Sequence, residues 1–417
     1  MQFMVAGTGI SQLILILASP ILTRLYDPQA LGALGLFMSF VAIITICSGL
    51  RDELAIVLPN RDSEANEILQ LTLFFNVLIS IASIIIFLIY GMISAELELN
   101  NSLGWYIYLI PFSIFLSSAY QSLSFWMNRK NKFSIISLSK IIQSCVVVIF
   151  QILLGYILIG GFQGLIMGSL FGQFTAFLLF FLNLEKQTLK EIFIPKKSLF
   201  NVLKKYIRFP KFSMPGAVIN TITTEFPVLI ITYTFGLIVT GPFNLAVRVV
   251  GLPITVISGA VYQVLVSRVA ELDRENFKLI EPLILKIFAI LFVPAIIICF
   301  IFSGFLPDLF SFVFGNNWRF AGELASIMIF AYAFKFSISP LGVVLGLDRN
   351  VHLGFYWQAL YFFSSIFTLT YFSYLDIENF ILIFVLVEIV MYLIYFAFIF
   401  YGVRRPPQQE IILDELE

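Results

Sequence analysis

The hydrophobic residues of this chain fall into long runs that are separated by short polar segments. Twelve runs are long enough to cross a membrane, because a transmembrane helix needs about 20 apolar residues. The runs lie near residues 3–22, 32–50, 68–92, 104–127, 134–158, 161–182, 211–236, 242–266, 282–303, 320–345, 351–374 and 379–401. This pattern predicts an all-α integral membrane protein with about 12 transmembrane helices.

The longest hydrophilic stretch separates these runs into two sets of six. The predicted parts are an N-terminal six-helix lobe (1–182), a basic cytoplasmic linker (183–210), a C-terminal six-helix lobe (211–401) and a cytoplasmic tail (402–417). A short similarity between ILTRLYDPQALG at 21–32 and IITYTFGLIVTG at 230–241 indicates duplication. Because six spans give both lobes the same orientation, we expect a parallel repeat about an axis along the membrane normal.

Basic residues of the connecting segments lie almost entirely on one side of this topology. Cytoplasmic loops carry an excess of Lys and Arg, so both termini are predicted to be cytoplasmic. In the linker, SLFNVLKKYIRF places apolar residues on one helical face and Lys204, Lys205 and Arg208 elsewhere. Such an amphipathic helix either binds anionic lipid headgroups or anchors the linker at the membrane surface.

Composition narrows the range of functions. Hydrophobic residues make up 60% of the 417 residues and charged residues 12%, so little of the chain is left for a soluble domain. The 25 basic and 25 acidic residues balance, and nucleic acid is not expected as a partner. The three cysteines lack metal-binding spacing and His352 is the only histidine, so neither a metal nor a cofactor is expected.

Five ionisable residues lie well inside predicted spans: Lys140, Glu225, Arg248, Lys335 and Glu388. A central Arg or Lys costs roughly 2.5 to 3.5 kcal/mol on the insertion scale. Such residues usually face the bundle interior or an aqueous cavity, and they often mark a functional site. The three basic residues are therefore candidates for binding an anionic substrate. The alternative is that their long side chains reach the membrane surface, which is easier for Lys140 and Arg248 than for the deeper Lys335.

The two glutamates lie near the middle of their spans, where a short side chain reaches the interface poorly. Glu225 precedes Pro227, whose missing N–H frees a carbonyl group and can kink the helix. Glu225 and Glu388 are therefore candidates for coupling transport to protons or sodium. The alternative is a structural role as partners of basic groups.

Four segments occur in an order that resembles the bacterial O-antigen flippase family. They are LTRLYDPQALGALGLF, RDELAIVLPNRDSEANEILQL, AVRVVGLPITVISGAVYQV and FGNNWRFAGELASIMIFAYAFKFSISPLGVVL. These polysaccharide exporters are part of the multidrug/oligosaccharidyl-lipid/polysaccharide superfamily, and the resemblance covers nearly the whole chain. In one respect the chain differs, because relatives commonly have a basic segment before the first helix and no Lys or Arg precedes Arg24 here.

The resemblance implies two six-helix lobes around a central cavity in the bacterial inner membrane. It implies translocation of an undecaprenyl-diphosphate-linked oligosaccharide, an O-antigen or capsule repeat unit, to the outer leaflet by alternating access. Membrane lipids and a polysaccharide polymerase of lipopolysaccharide assembly are the implied partners. Basic residues hold the diphosphate in relatives, and Arg24, Arg248 and the region of Lys335 match that family pattern. The other candidates are supported only by their position within spans.

Two other classes of function stay open. A drug/cation antiporter of the same superfamily would have an acidic lining, whereas the basic candidates, with Arg51 at the inner mouth, outnumber the two buried glutamates. An integral-membrane enzyme of polysaccharide assembly would need a large outer loop with acid-base groups. The longest outer connection carries only Asp308 and Arg319 as charged residues. A transporter, and not an enzyme, is therefore expected.

Overall fold

The structure is a computed structural model that describes residues 2–93, 102–192 and 199–406. These residues form helices joined by short turns, with no strand among them, and the predicted all-α class is confirmed. Residues 193–198 of the predicted linker and residues 407–417 of the predicted tail lie outside the described residues.

The first compact unit of the chain comprises Met1–Gly241. Its helices are α1 (Gln2–Leu25), α2 (Pro28–Ser48), α3 (Asp62–Ile93), α4 (Ile110–Arg129), α5 (Phe133–Ile157), α6 (Phe162–Leu182), α7 (Lys186–Ile192), α8 (Leu199–Lys205) and α9 (Met214–Phe235). Short 3-10 helices at Asp52–Val57 and Gly104–Leu109 precede α3 and α4. A π-helical turn at Phe209–Ser213 leads into α9.

The second compact unit comprises Pro242–Glu417. Its helices are α10 (Leu237–Pro253), which begins in the first unit, α11 (Gly259–Glu275), α12 (Ile280–Phe302), α13 (Leu306–Phe314), α14 (Arg319–Ile338), α15 (Val351–Tyr371) and α16 (Ile377–Val403). A π-helical turn, Ile254–Ser258, joins α10 to α11. The other short helices are Phe277–Leu279, Asn316–Trp318, Ser339–Gly346 and Asp348–Asn350.

Ten helical segments of the described residues are long and apolar enough to cross a membrane. They correspond to ten of the twelve predicted spans, and the multi-pass membrane class is confirmed. The other two predicted spans are helical over α4 and α15, but the mean hydropathy of these two helices is lower than that of the ten. The count of twelve therefore stays a prediction.

Helix α9 belongs to the first compact unit because it packs along α2. Ser39 of α2 donates a 2.7 Å hydrogen bond to the Glu225 carboxylate of α9. The predicted C-terminal lobe begins at residue 211 and would include this helix. Its contacts in the structure are with the first unit, and the lobe boundaries stay a prediction.

Two glycines let the beginnings of α2 and α10 approach backbone to backbone. A Cβ at Gly32 would overlap the Leu237 carbonyl oxygen, and a Cβ at Gly241 would overlap the Pro28 carbonyl oxygen. Each glycine thus meets the carbonyl four residues before the other. Gly32 and Gly241 are also the last residues of the two similar segments in the sequence.

The turn after α2 is anchored in a hydrophobic core of the first unit. Ala55 and Ile56 are fully buried and pack in a cluster with Ile68, Leu69 and Met127 of α3 and α4. Removing such apolar side chains from water contributes about 25 cal/mol per Å² of buried area. This packing anchors the 3-10 helix after α2, whose residues Asp52, Glu53, Ala55 and Ile56 are buried.

Candidate functional site

Lys335 of α14 lies among aromatic rings in the second unit. Its ammonium is 5.5 Å from the ring centre of Tyr332 and 5.9 Å from that of Tyr392 on α16. A cation over an aromatic face is attracted by the ring quadrupole, and more strongly where water is excluded. Lys335 is half-buried, so these rings replace part of its hydration.

Glu388 of α16 is buried in the same cluster and is only 8% exposed. It accepts a 2.7 Å hydrogen bond from the Tyr361 hydroxyl of α15, and its charge interacts with that of Lys335. Tyr361 stacks on Trp357 with a ring-centre distance of 5.3 Å, and the Trp357 indole N–H donates to the Met391 carbonyl. The structure thus brings together two of the predicted site residues.

A proline near the end of α14 connects this cluster to the turn after α10. Pro340 has no backbone N–H, so the carbonyl of Phe336, four residues earlier, lacks its helical donor. The Ser258 hydroxyl supplies a 2.8 Å hydrogen bond to that carbonyl. A buried carbonyl needs such a partner. The hydrogen bond ties the π-helical turn after α10 to the helix that carries Lys335.

Arg248 lies within α10, and its side chain is exposed. It forms no hydrogen bond or ion pair with the described residues. A guanidinium presents five N–H donors in a rigid planar arrangement that matches phosphate and carboxylate oxygens. Arg248 is therefore available to a partner with several acceptor oxygens.

Lys140 and Arg24 lie against different parts of the first unit. The Lys140 ammonium donates a 2.8 Å hydrogen bond to the Thr8 hydroxyl of α1. Thr8 is neutral, so it satisfies a donor without compensating the charge. Arg24 is exposed in the last turn of α1, and 16 residues of helix correspond to about 24 Å. The structure therefore does not bring Arg24 and Lys140 together.

Glu225 is half-buried in α9, where its neighbour Pro227 lies inside the helix. Its partner is the Ser39 hydroxyl, and no basic residue pairs with it in the part of the chain that the structure describes. The described contacts thus differ from the structural alternative, in which a basic group pairs with this carboxylate. Its role in ion coupling stays a prediction.

Sequence reasoning missed the aromatic residues around Lys335 and Glu388. Tyr332 precedes Lys335 by three residues and Tyr392 follows Glu388 by four. Residues three or four apart share a helix face, so this spacing was a usable signal. The cluster combines one cation, one carboxylate and hydroxyl donors. Among the described residues no group of His, Cys, Asp and Glu could hold a metal ion.

Comparisons with known proteins place the chain by family and by fold. A family model described as a polysaccharide biosynthesis protein matches residues 21–322. No curated protein matches the sequence. The lipid II flippase MurJ, in an inward closed conformation, aligns with a TM-score of 0.73 and 13% identity, over 99% of this chain and 89% of that chain.

Two further solved structures share the fold. An inward-facing multidrug resistance MATE family transporter of the MOP superfamily aligns with a TM-score of 0.72 and 16% identity, over 96% of this chain and 98% of that chain. A MOP superfamily transporter from Pyrococcus furiosus, whose binding pocket of reverse polarity suggests a different function, aligns with a TM-score of 0.63 and 16% identity, over 96% and 94%.

Proposed function

We propose that this chain, which belongs to the polysaccharide biosynthesis protein family, functions as a flippase for undecaprenyl-diphosphate-linked oligosaccharide. The proposed cargo is an O-antigen or capsule repeat unit, which moves from the cytoplasmic to the outer leaflet of the bacterial inner membrane by alternating access. The family membership and the fold shared with MOP superfamily transporters confirm the family resemblance that was predicted from the sequence.

The observation that carries the proposal is the exposed, unpaired guanidinium of Arg248 inside an apolar span. Among the described residues nothing compensates its charge, and such a group is costly in lipid. A diphosphate offers several anionic oxygens that a guanidinium binds with paired hydrogen bonds. In the proposed mechanism Arg248 holds the diphosphate while the polyprenyl chain stays in the bilayer.

The other predicted residues take supporting roles in this proposal. Lys335 adds a second positive charge. Its ammonium lies over the Tyr332 and Tyr392 rings, which bind a cation less tightly than a direct ion pair with a carboxylate would. Arg24 and Lys140 contact the diphosphate at other stages of the passage, because they lie in different places of the first unit. Glu225 and Glu388 couple the transport to protons or sodium.

The test is transport of a lipid-diphosphate oligosaccharide in proteoliposomes. Arg248→Ala removes the paired hydrogen bonds, each worth about 1.5 to 3 kcal/mol when charged, so the initial rate of flipping should fall at least about tenfold. Lys335→Ala should also lower the rate. Arg268→Ala is the matched control, because Arg268 is exposed on α11 and pairs with Glu271. Unchanged flipping in both Arg248→Ala and Lys335→Ala would reject the assignment.

A drug/cation antiporter is the second candidate, and the surroundings of Glu388 favour it. A buried carboxylate among tyrosine and tryptophan rings is also an arrangement that binds organic cations. The same proteoliposomes, loaded with a lipophilic cation, separate the two functions. Cation efflux that Glu388→Gln abolishes, together with no movement of the lipid-linked oligosaccharide, would replace the flippase by the antiporter.

A further inference from the structure

The turn after α2 carries two acidic residues into the interior of the first unit. Leu50 and Arg51 adopt left-handed backbone conformations, with φ of 52° and 63°, which are uncommon for residues other than glycine. The Asp52 N–H then donates a 2.9 Å hydrogen bond to the Gly49 carbonyl. As a result Asp52 is 0% exposed and Glu53 is 4% exposed.

The Asp52 carboxyl group has no hydrogen-bond partner on either oxygen among the described residues. Glu53 has one unpartnered oxygen, Oε2, and its Oε1 lies 3.8 Å from the Arg51 guanidinium. Arg51 therefore faces only one of the two buried carboxyl groups, that of Glu53. A buried carboxylate that lacks both a cation and hydrogen-bond donors is strongly unfavourable, and in proteins such a group takes up a proton instead.

The charged groups on the neighbouring elements are engaged elsewhere. Arg129 of α4 donates to the Ile56 and Pro59 carbonyls, at 3.2 and 2.7 Å, and to Asp62 of α3. Lys130 pairs with the same Asp62 at 2.8 Å.

Two other elements contact the same turn. On α3, Thr72 is fully buried, and its hydroxyl donates to the Ile68 carbonyl. On the π-helical turn before α9, the Lys211 ammonium lies 5.2 Å from the Phe212 ring centre. Neither element supplies Asp52 with a donor.

We infer that Asp52, with Glu53 beside it, is a proton-binding site at the end of α2. The ligand is a proton rather than a metal ion such as Ca²⁺ or Mg²⁺, which combines several oxygen ligands. Among the described residues no group of three or more His, Cys, Asp or Glu could hold a metal ion. The site is separate from the predicted coupling residues Glu225 and Glu388, each of which has a hydroxyl donor. The inference does not rest on the proposed cargo.

The site changes its charge in the physiological range. Burial, together with the neighbouring Glu53 charge, raises the pKa of Asp52 to about 7. Burial also raises the pKa of Glu53, and the hydrogen bond from its own backbone, followed by the Arg51 charge, opposes that increase. Loss of the proton places a second carboxylate beside that of Glu53, so pH acts directly on the charge of the turn between α2 and α3.

The test is infrared difference spectroscopy of the purified full-length protein in lipid nanodiscs, titrated from pH 5 to pH 9. A protonated carboxylic acid has a carbonyl stretching band that disappears on ionisation. We expect a band that disappears with a midpoint near pH 7 and is missing in Asp52→Asn. Asp62→Asn is the matched control, because Asp62 is exposed and paired with Arg129 and Lys130, and it should leave the band unchanged.

Glu53→Gln provides a second measurement, since removal of the neighbouring charge should shift the midpoint to lower pH. A carbonyl band that persists in Asp52→Asn, or a titration midpoint that is the same in Glu53→Gln as in the parent, would overturn the assignment. A midpoint that moves with sodium concentration at constant pH would replace the proton by a metal cation. The spectra require no transport, so a failed flipping assay and a failed proton site are distinguishable.

Discussion

Two aspartates near the ends of α2 and α11 occupy opposite electrostatic environments. Asp52, just beyond α2, is fully buried and has no hydrogen-bond donor among the described residues. Asp273, in the last turn of α11, is bound by the Arg349 guanidinium in an ion pair whose side chains are 21% and 8% exposed. In the predicted repeat α2 is the second span of the first half, and α11 contains the last part of the second span of the second half, 242–266.

Similar acidic residues thus serve different purposes within one fold. An aspartate with its own arginine is held in an ion pair and contributes to fixed structure. An aspartate that is buried without a partner becomes a titratable group. Whether an aspartate has a cation partner depends on which acceptor the nearby arginine binds. Arg349 reaches Asp273, whereas Arg129 reaches the exposed Asp62 and two backbone carbonyls.

The largest effect is expected from Arg349→Met, which leaves Asp273 without its cation. Breaking a buried pair from one side costs about 3 to 5 kcal/mol. Arg349 is buried and Asp273 is partly buried, so the midpoint of thermal unfolding in detergent should fall clearly. Arg268→Met, in an exposed pair with Glu271, is the control and should cost less than about 1 kcal/mol. Equal midpoints for the two variants would remove the contrast between Asp273 and Asp52.

The second prediction concerns pH and Asp52. Burial and the neighbouring Glu53 charge raise its pKa in the folded state from the ordinary 3.8 to about 7, so the folded state binds more protons than the unfolded state between these pH values. Folding stability should therefore decrease as pH rises from 4 to 7, on the order of 4 kcal/mol in total.

The matching measurement is the unfolding midpoint as a function of pH in the parent and in Asp52→Asn. The variant should equal the parent near pH 4 and exceed it near pH 8, because asparagine mimics the protonated acid. Parallel pH profiles would show that Asp52 does not titrate in this range.

A third prediction tests the space beside Glu53. A Cβ at Gly49 would lie 2.6 Å from Glu53 Oε2 and 3.1 Å from Thr72 Cγ2. Gly49→Ala should therefore displace the carboxylate and cost about 1 to 3 kcal/mol, as overpacking usually does. Gly346→Ala in the second unit is the control, since a Cβ there meets nothing within 4 Å. If Gly49→Ala unfolds like the control, the carboxylate is not held in place.

The smallest effect is expected from Asp62→Asn. Asp62 is bonded by both Arg129 and Lys130, but its side chain is 61% exposed, and exposed pairs contribute about 0 to 1 kcal/mol. Arg129 also keeps its hydrogen bonds to the Ile56 and Pro59 carbonyls. A loss as large as that of Arg349→Met, measured in the same unfolding assay, would contradict the ranking.

Much of the fold could be predicted because the membrane imposes a local rule on the sequence. A span needs about 20 apolar residues, and ten of the predicted spans meet that rule in the structure. The helices α4 and α15 are helical as expected, but serines, tyrosines and a tryptophan lower their apolar character. The assignment of α9 to the first compact unit could not be predicted, because hydropathy does not show which helix α9 packs along.

The candidate site was only partly predictable. Lys335 and Glu388 stood out because charge inside an apolar run is rare, and they lie in one cluster. Glu225 stood out for the same reason, but its partner Ser39 is a small residue in an ordinary apolar helix, with no signal of its own. The burial of Asp52 could not be predicted from the sequence, since a polar residue after a helix usually lies in a solvated turn.

Residues that are neighbours along the chain specify the membrane class, most of the helices and which charges lie inside them, so these features could be read from the sequence. Only the tertiary structure decided the charge partners: Tyr361 for Glu388, Ser39 for Glu225, Arg349 for Asp273 and none among the described residues for Asp52. The physical reason is that burial and hydrogen bonding are properties of packing between segments far apart in the chain, and these properties set whether a carboxyl group is fixed or titrates.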